Sequence, residues 1–190
     1  MQKIIKKQLQ DSIDLKIQVI ETLIPQIEKA ANLLVEALEK GSKVLFLGNG
    51  GSAADAQHLA AELISRFIKE RKAIPAIALT TDTSIITAIG NDYGFDKIFA
   101  RQIEGLAQAG DVAFGISTSG NSKNVIAGLE KAKEKGCKTV GLLGCDGGKM
   151  AGMVDLAISL PSKDTPRIQE SHITIGHILC GLIEERLFPA

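Results

Sequence analysis

His58 and Glu62 stand four positions apart in the Ala- and Leu-rich stretch SAADAQHLAAELI, and so share one face of a helix. An imidazole and a carboxylate at that spacing can share a metal ion or form an acid/base pair, and they can equally be a solvated surface pair. Glu62 lies between Ala61 and Leu63, which predicts partial burial. A second polar set interrupts the apolar C-terminal stretch RIQESHITIGHILCGLIEERLF. Gln169 and His177 are eight positions apart, a little over two helical turns, and fall roughly on one side. His172 and His177 point about 140° away from each other, so one site cannot easily use both. Spacing leaves open which of the two serves.

Two further segments are dense in small polar residues. GNGGS (48–52) and STSGNS (117–122) each follow a short apolar run and lead into a helical pattern. Such loops offer backbone N–H groups, a helix N-terminus and hydroxyl donors to an anion; the plain alternative is a tight turn with an N-cap. Neither fits a nucleotide signature, because there is no G-x-x-x-x-G-K-[ST] and GNGGSAAD lacks the G-x-G-x-x-G spacing.

The elements that must position these residues follow from the periodicity. Helical spacing between Ile4 and Glu39, with Pro25 inside and Gly41 after the end, predicts two helices before any strand. Ile13, Ile17 and Ile20 mark one face, and Ile27, Leu34 and Leu38 another. Five short apolar runs follow: Val44–Leu47, Pro75–Leu79, Val112–Ile116, Thr139–Leu143 and Leu156–Leu160. Helical patterns over Ala53–Ile68, Phe95–Ala107, Lys123–Lys135 and Arg167–Leu187 alternate with them. Continuous apolar strands alternating with helices predict an α/β fold: a three-layer α/β/α sandwich around a five-stranded parallel sheet, flavodoxin-like in plan. The expected organisation is a helical N-terminal extension (1–40) on a single main domain (41–190). An amphipathic helix pair of that kind needs a cover, which points to a partner subunit. In open parallel sheets ligands bind beyond the carboxyl ends of the strands, where the two polar loops fall.

Composition narrows the function class. The 190 residues carry 22 basic and 22 acidic side chains, for a net charge of zero. Nucleic-acid binders need a basic excess and, for single strands, aromatic platforms; this chain has 6 Phe, 1 Tyr and no Trp. No nucleic acid is expected as partner. No apolar run approaches the ~18 residues needed to span a bilayer, so no membrane is expected either. Cys137, Cys145 and Cys180 form no C-x-x-C pair, and no leader-like apolar stretch follows the first residues. Both point to a cytoplasmic protein with core thiols.

Taken together, GNGGSAADAQHLAAELISRF, AIGNDYGF, GDVAFGISTSGNSKNVI, DGGKMAG and RIQESHITIGHILC closely resemble the phosphoheptose isomerases of the sugar isomerase (SIS) family, over essentially the whole chain. The resemblance implies conversion of D-sedoheptulose 7-phosphate to D-glycero-D-manno-heptose 7-phosphate, the start of heptose synthesis for bacterial envelope (lipopolysaccharide-type) polysaccharide. It implies a homotetramer with active sites between subunits. It assigns Asn49, Gly50 and Gly51 to the sugar phosphate with Ser52 nearby, Asn91 and Asp92 to hydroxyls, and Ser117, Thr118, Ser119 and Ser122 to the phosphate. It makes His58, Glu62, Gln169 and His177 a zinc set, one ion per subunit, with Glu62 and His177 as acid/base pair and Glu62 and Gln169 also touching substrate. Where several relatives carry an acidic residue before RIQE, this chain has Pro166, so any role of that side chain is absent. A non-catalytic SIS relative that binds the bacterial replication initiator shares the AQHLAA, ALTTDT and LFP segments. It lacks the carboxylate and imidazole that Glu62 and His177 supply here, and the isomerase is therefore the expected function. A sugar-phosphate-sensing transcription regulator would need an added DNA-binding domain, for which 190 neutral residues leave no room.

Overall fold

A computed structural model describes residues 1–189. Two helices open the chain, α1 (Gln2–Thr22) and α2 (Ile24–Glu39), separated at Leu23, with Pro25 in the first turn of α2 where its missing N–H costs nothing. There follow β1 (Val44–Gly48), α3 (Gly51–Ile64), β2 (Ala76–Ala78), α4 (Thr83–Tyr93), a 3₁₀ turn (Phe95–Lys97) and α5 (Ile98–Leu106). The chain continues through β3 (Val112–Ser117), α6 (Lys123–Glu134), β4 (Lys138–Leu143), the single turn α7 (Gly148–Ala151), β5 (Leu156–Ser159) and the long α8 (Thr165–Leu187).

The five strands are all parallel, in the order β2-β1-β3-β4-β5. Alternate side chains along each strand enter two separate cores. Val44, Phe46, Val112, Phe114, Ile116, Val140 and Leu142 pack against α2, α3 and α8. Leu45, Leu47, Ala113 and Leu143 pack against α5 and α6. Burial on both faces explains why the strands read as unbroken apolar runs. The expected three-layer α/β/α sandwich with five parallel strands is the fold observed.

Several boundaries differ from the periodic reading. α3 stops at Ile64 rather than Ile68, because the next residues are drawn to the C-terminal helix by a polar contact described below. The second strand is short, although the Val44 N–H still reaches the Pro75 carbonyl and the Leu79 N–H the Phe46 carbonyl. α4 was not expected. Asp82 caps it, Oδ1 accepting the Ile85 N–H at 2.9 Å; none of its residues is fully buried, and only Ile86 and Ile89 pack, partly buried, against the core, a signal of two residues within one turn of helix.

The N-terminal helices divide their labour. α2 buries Ile27, Ala30, Ala31, Leu34, Val35, Ala37 and Leu38 against the sheet and α8. α1 buries Leu15 and Val19, and leaves Ile4, Ile5, Leu9, Ile13, Ile17 and Ile20 between 46% and 63% exposed. The Ile13/Ile17/Ile20 face is therefore open in the single chain.

Candidate active site

β1 is flanked by β2 on one side and β3 on the other, so the connections leaving β1 and β3 turn to opposite sides of the sheet. A crevice between the carboxyl ends of two such strands is where open α/β sheets bind ligands. Gly48 pairs with Ile116 in the register, which sets GNGGS and STSGNS side by side at that crevice. The two loops are joined by a reciprocal amide pair: Asn49 Nδ2 donates to Asn124 Oδ1 at 2.8 Å, and Asn124 Nδ2 to Asn49 Oδ1 at 2.9 Å.

Within the second loop, the Ser117 hydroxyl lies 3.0 Å from that of Ser122 and 3.5 Å from that of Ser119. The Gly120 N–H donates to Ser117 Oγ and the Asn121 N–H to Ser119 Oγ. Ser122 is the N-cap of α6 without bonding its backbone, so three hydroxyls gather where the helix presents its first N–H groups. Thr118 lies between them, half-buried. This cluster suits a small anion without any basic side chain.

On the first loop, Ser52 is buried and Gly50 adopts a positive φ of 54° at the entry to α3. A Cβ on Gly51 would stand 2.3 Å from Gln169 Nε2, so the Gln169 amide lies directly over the loop and any larger residue there would push it aside. Further along the same two helices, Gly176 lets α8 close onto Leu59 of α3, where a Cβ would meet Leu59 Cδ2 at 2.6 Å. The neighbours of that contact are His177 and His58. Their Nε2 atoms are 2.9 Å apart, and His58 Nε2 is 3.1 Å from Glu62 Oε1. One donor atom from each of His58, Glu62 and His177 falls within 4.8 Å of the others, a grouping able to hold a metal ion. Glu62 is the most shielded of the i,i+4 pair, with 24% of its side chain exposed against 48% for His58.

Of the two histidines of α8, it is His177 that the structure brings beside His58 and Glu62. His172 is fully buried on the opposite face, and its two ring nitrogens lack a hydrogen bond of normal geometry. Burial lowers its pKa to about 4, with the nearby Leu143 carbonyl pulling weakly the other way. Asn91 and Asp92 are not drawn into this set. They lie exposed on α4, where Asn91 Nδ2 donates to Asp92 Oδ1 at 2.8 Å.

Two residues of the site escaped the sequence reading. Asn124, which ties the loops, sits two positions beyond Ser122 in the same polar motif. Asp55 lies one turn before His58 on α3; its Oδ2 is buried without a partner, and desolvation raises its pKa to about 6 against the pull of His58. The i,i+3 step from Asp55 to His58 was as visible as the i,i+4 step to Glu62.

The SIS domain family matches residues 9–144. The phosphoheptose isomerase of Geobacter sulfurreducens is 61% identical over 90% of this chain and 93% of its own length. Among solved structures, the phosphoheptose isomerase of Neisseria gonorrhoeae is 44% identical with a TM-score of 0.93, covering 97% of this chain and 98% of that one. That of Francisella tularensis is 40% identical, also at a TM-score of 0.93, over 96% and 97% of the two chains. The chain belongs to the SIS domain family and, within it, to the phosphoheptose isomerases.

Proposed function

We propose that the chain is an aldose–ketose isomerase converting D-sedoheptulose 7-phosphate to D-glycero-D-manno-heptose 7-phosphate, with its chemistry at His58, Glu62 and His177. The observation that carries this reading is the meeting of that trio between α3 and α8, on the same α3 whose N-terminal loop adjoins the serine cluster. A phosphate at the serines and a reacting carbon at the trio are the two ends of one sugar phosphate.

Isomerisation moves a proton between neighbouring carbons through an enediol. In this account Glu62 takes the proton from C1 of the ketose and returns it to C2. His177 carries the compensating proton between the oxygens on those carbons. Ser117, Thr118, Ser119 and Ser122 hold the phosphate, with Asn49, Gly50, Gly51 and Ser52 forming the facing wall and Gln169 above it. Asn91 and Asp92 would reach substrate hydroxyls from α4, whose exposed position fits a site completed in the assembly.

Zinc is the proposed ion, one per subunit, held by His58, Glu62 and His177, with Gln169, whose amide lies over Gly51, as the fourth ligand that the family resemblance implies. Tetrahedral zinc with nitrogen bonds of about 2.0–2.1 Å needs donors about 3.3 Å apart, and the 2.9 Å between the imidazole nitrogens is close to that. When bound, zinc supplies Lewis acidity toward carbonyl and hydroxyl oxygens.

Assembly as a homotetramer is proposed on the open isoleucine face of α1, since contiguous exposed apolar surface of this kind marks an interface. Among the described residues no helix is long and apolar enough to cross a membrane, which is compatible with the proposed cytoplasmic setting and heptose supply for envelope polysaccharide. The test is incubation of the purified protein with sedoheptulose 7-phosphate, before and after chelation. Aldose product that disappears on chelation and returns with zinc is the expected result; no product under any of these conditions would overturn the reading.

A further inference from the structure

Beyond α3 the chain runs without regular structure to β2, and a buried ion pair helps hold this segment in place, alongside the more exposed pair of Lys69 with Glu185. Arg71 Nε lies 3.0 Å from Glu184 Oε1, with side-chain exposures of 1% and 2%. The Glu184 carboxylate also accepts the backbone N–H groups of Phe67, Ile68 and Lys69 at 3.1, 2.9 and 2.8 Å. Burial alone would raise its pKa, but these N–H donors and the guanidinium outweigh burial and hold the carboxyl below its ordinary range. The other face of Arg71 caps α3: Nη1 donates to the Leu63 carbonyl at 2.6 Å and Nη2 to the Glu62 carbonyl at 2.8 Å. The Leu63 carbonyl also accepts the Ile74 N–H at 3.0 Å, while the Glu62 carbonyl would otherwise be left open at the helix C-terminus, where a cation is favoured.

The pair therefore ties the helix that carries His58 and Glu62 to the helix that carries His177. His177, Gly181 and Glu184 are spaced i, i+4, i+7 and line one face of α8. Phe67, whose backbone is fixed by Glu184, lays its ring along that face. A Cβ at Gly181 would stand 3.4 Å from the Phe67 ring, and the ring centroid is 5.6 Å from that of His177 at a 32° tilt. The same imidazole meets the His58 ring at 5.0 Å. A buried ion pair is by itself a weak source of stability, often matched by apolar residues of similar volume. Its use here is better sought in what it positions.

We infer that Phe67 is a positioning residue for His177, and that the Arg71–Glu184 pair sets Phe67 in place. The kinetic part of this inference rests on the isomerase reading; the metal-binding part does not. Holding a ligand imidazole in one orientation raises metal affinity and keeps its nitrogen in line with the reacting atoms.

The test uses the full chain with Phe67→Ala, and with Phe67→Tyr as the conservative partner. Three quantities are read: kcat and KM for sedoheptulose 7-phosphate, and zinc affinity by competition with a chromophoric chelator. Phe67→Ala is expected to lower kcat and zinc affinity by about tenfold each while KM stays near its original value, with Phe67→Tyr restoring both. Should the alanine variant fail to fold, Phe67→Leu fills the space without a flat ring and is expected to show the same split in smaller measure. Unchanged kcat and zinc affinity, or a loss confined to thermal stability, would overturn the inference. Weakened zinc binding in a chain that never turns over sedoheptulose 7-phosphate would support the positioning role while removing the isomerase reading.

Discussion

The two faces of α8 carry the same side chain to opposite ends. His172 is sealed between the helix and the sheet, without a hydrogen bond of normal geometry and with its pKa lowered to about 4. His177, five residues on, stands half-exposed among His58, Glu62 and Phe67. An imidazole becomes a chemical group only where a second element brings it partners. That partner is α3, admitted to close range by Gly176 against Leu59.

The contrast can be broken most severely at its active face. His177→Ala is expected to lower turnover of sedoheptulose 7-phosphate by roughly 10²–10⁴-fold, the usual worth of a positioned acid/base group. His172→Leu should retain most turnover, and a steady-state assay of both variants reads the difference directly. Equal losses in the two would erase the distinction between the faces.

Acid stability sharpens the buried face. The folded pKa of His172 lies near 4 while the unfolded imidazole titrates near 6.5, so between those values the unfolded chain binds the extra proton. Its contribution to stability is therefore lost as pH falls from about 6.5 to about 4, by at most about 3 kcal/mol over that window. Chemical denaturation of the parent and of His172→Leu across pH 4–7 should show the parent losing more stability on acidification. Parallel curves would mean that His172 is not sealed from solvent.

The smallest effect belongs to the serine loop, which stands apart from both histidines. Ser119→Ala removes one hydroxyl donor and is expected to raise KM about five- to tenfold with kcat little changed, because a phosphate contact is largely uniform binding. An unchanged KM would remove the loop from the phosphate site.

How much of this was legible depended on whether the information was local. The strands were readable because burial on both faces leaves Val44–Leu47 or Val112–Ile116 without a polar break. α4 was not, since it sets only Ile86 and Ile89 against the core, too short an apolar stripe to stand out among the polar residues around it. The end of α3 was overrun by four residues, because the Ala and Leu pattern gives no sign that Glu184, more than a hundred positions away, will take the N–H groups of residues 67–69. The carboxylate and imidazole of Glu62 and His58 were visible as an i,i+4 pair. Spacing on α8 left His172 and His177 equally eligible, because which of them meets His58 and Glu62 depends on a contact between helices. The N-terminal isoleucines were read as one face, and the structure shows it to be the open face of α1, with Leu15 and Val19 turned inward.

The central claim is that the trio between α3 and α8 performs the proton transfer, with Glu62 as the carbon base. Its most direct test is the rate at which a folded Glu62→Gln variant converts sedoheptulose 7-phosphate, since the amide keeps the shape and removes the base. The account predicts no turnover above background in a variant that unfolds like the parent. Near-parental turnover would contradict it.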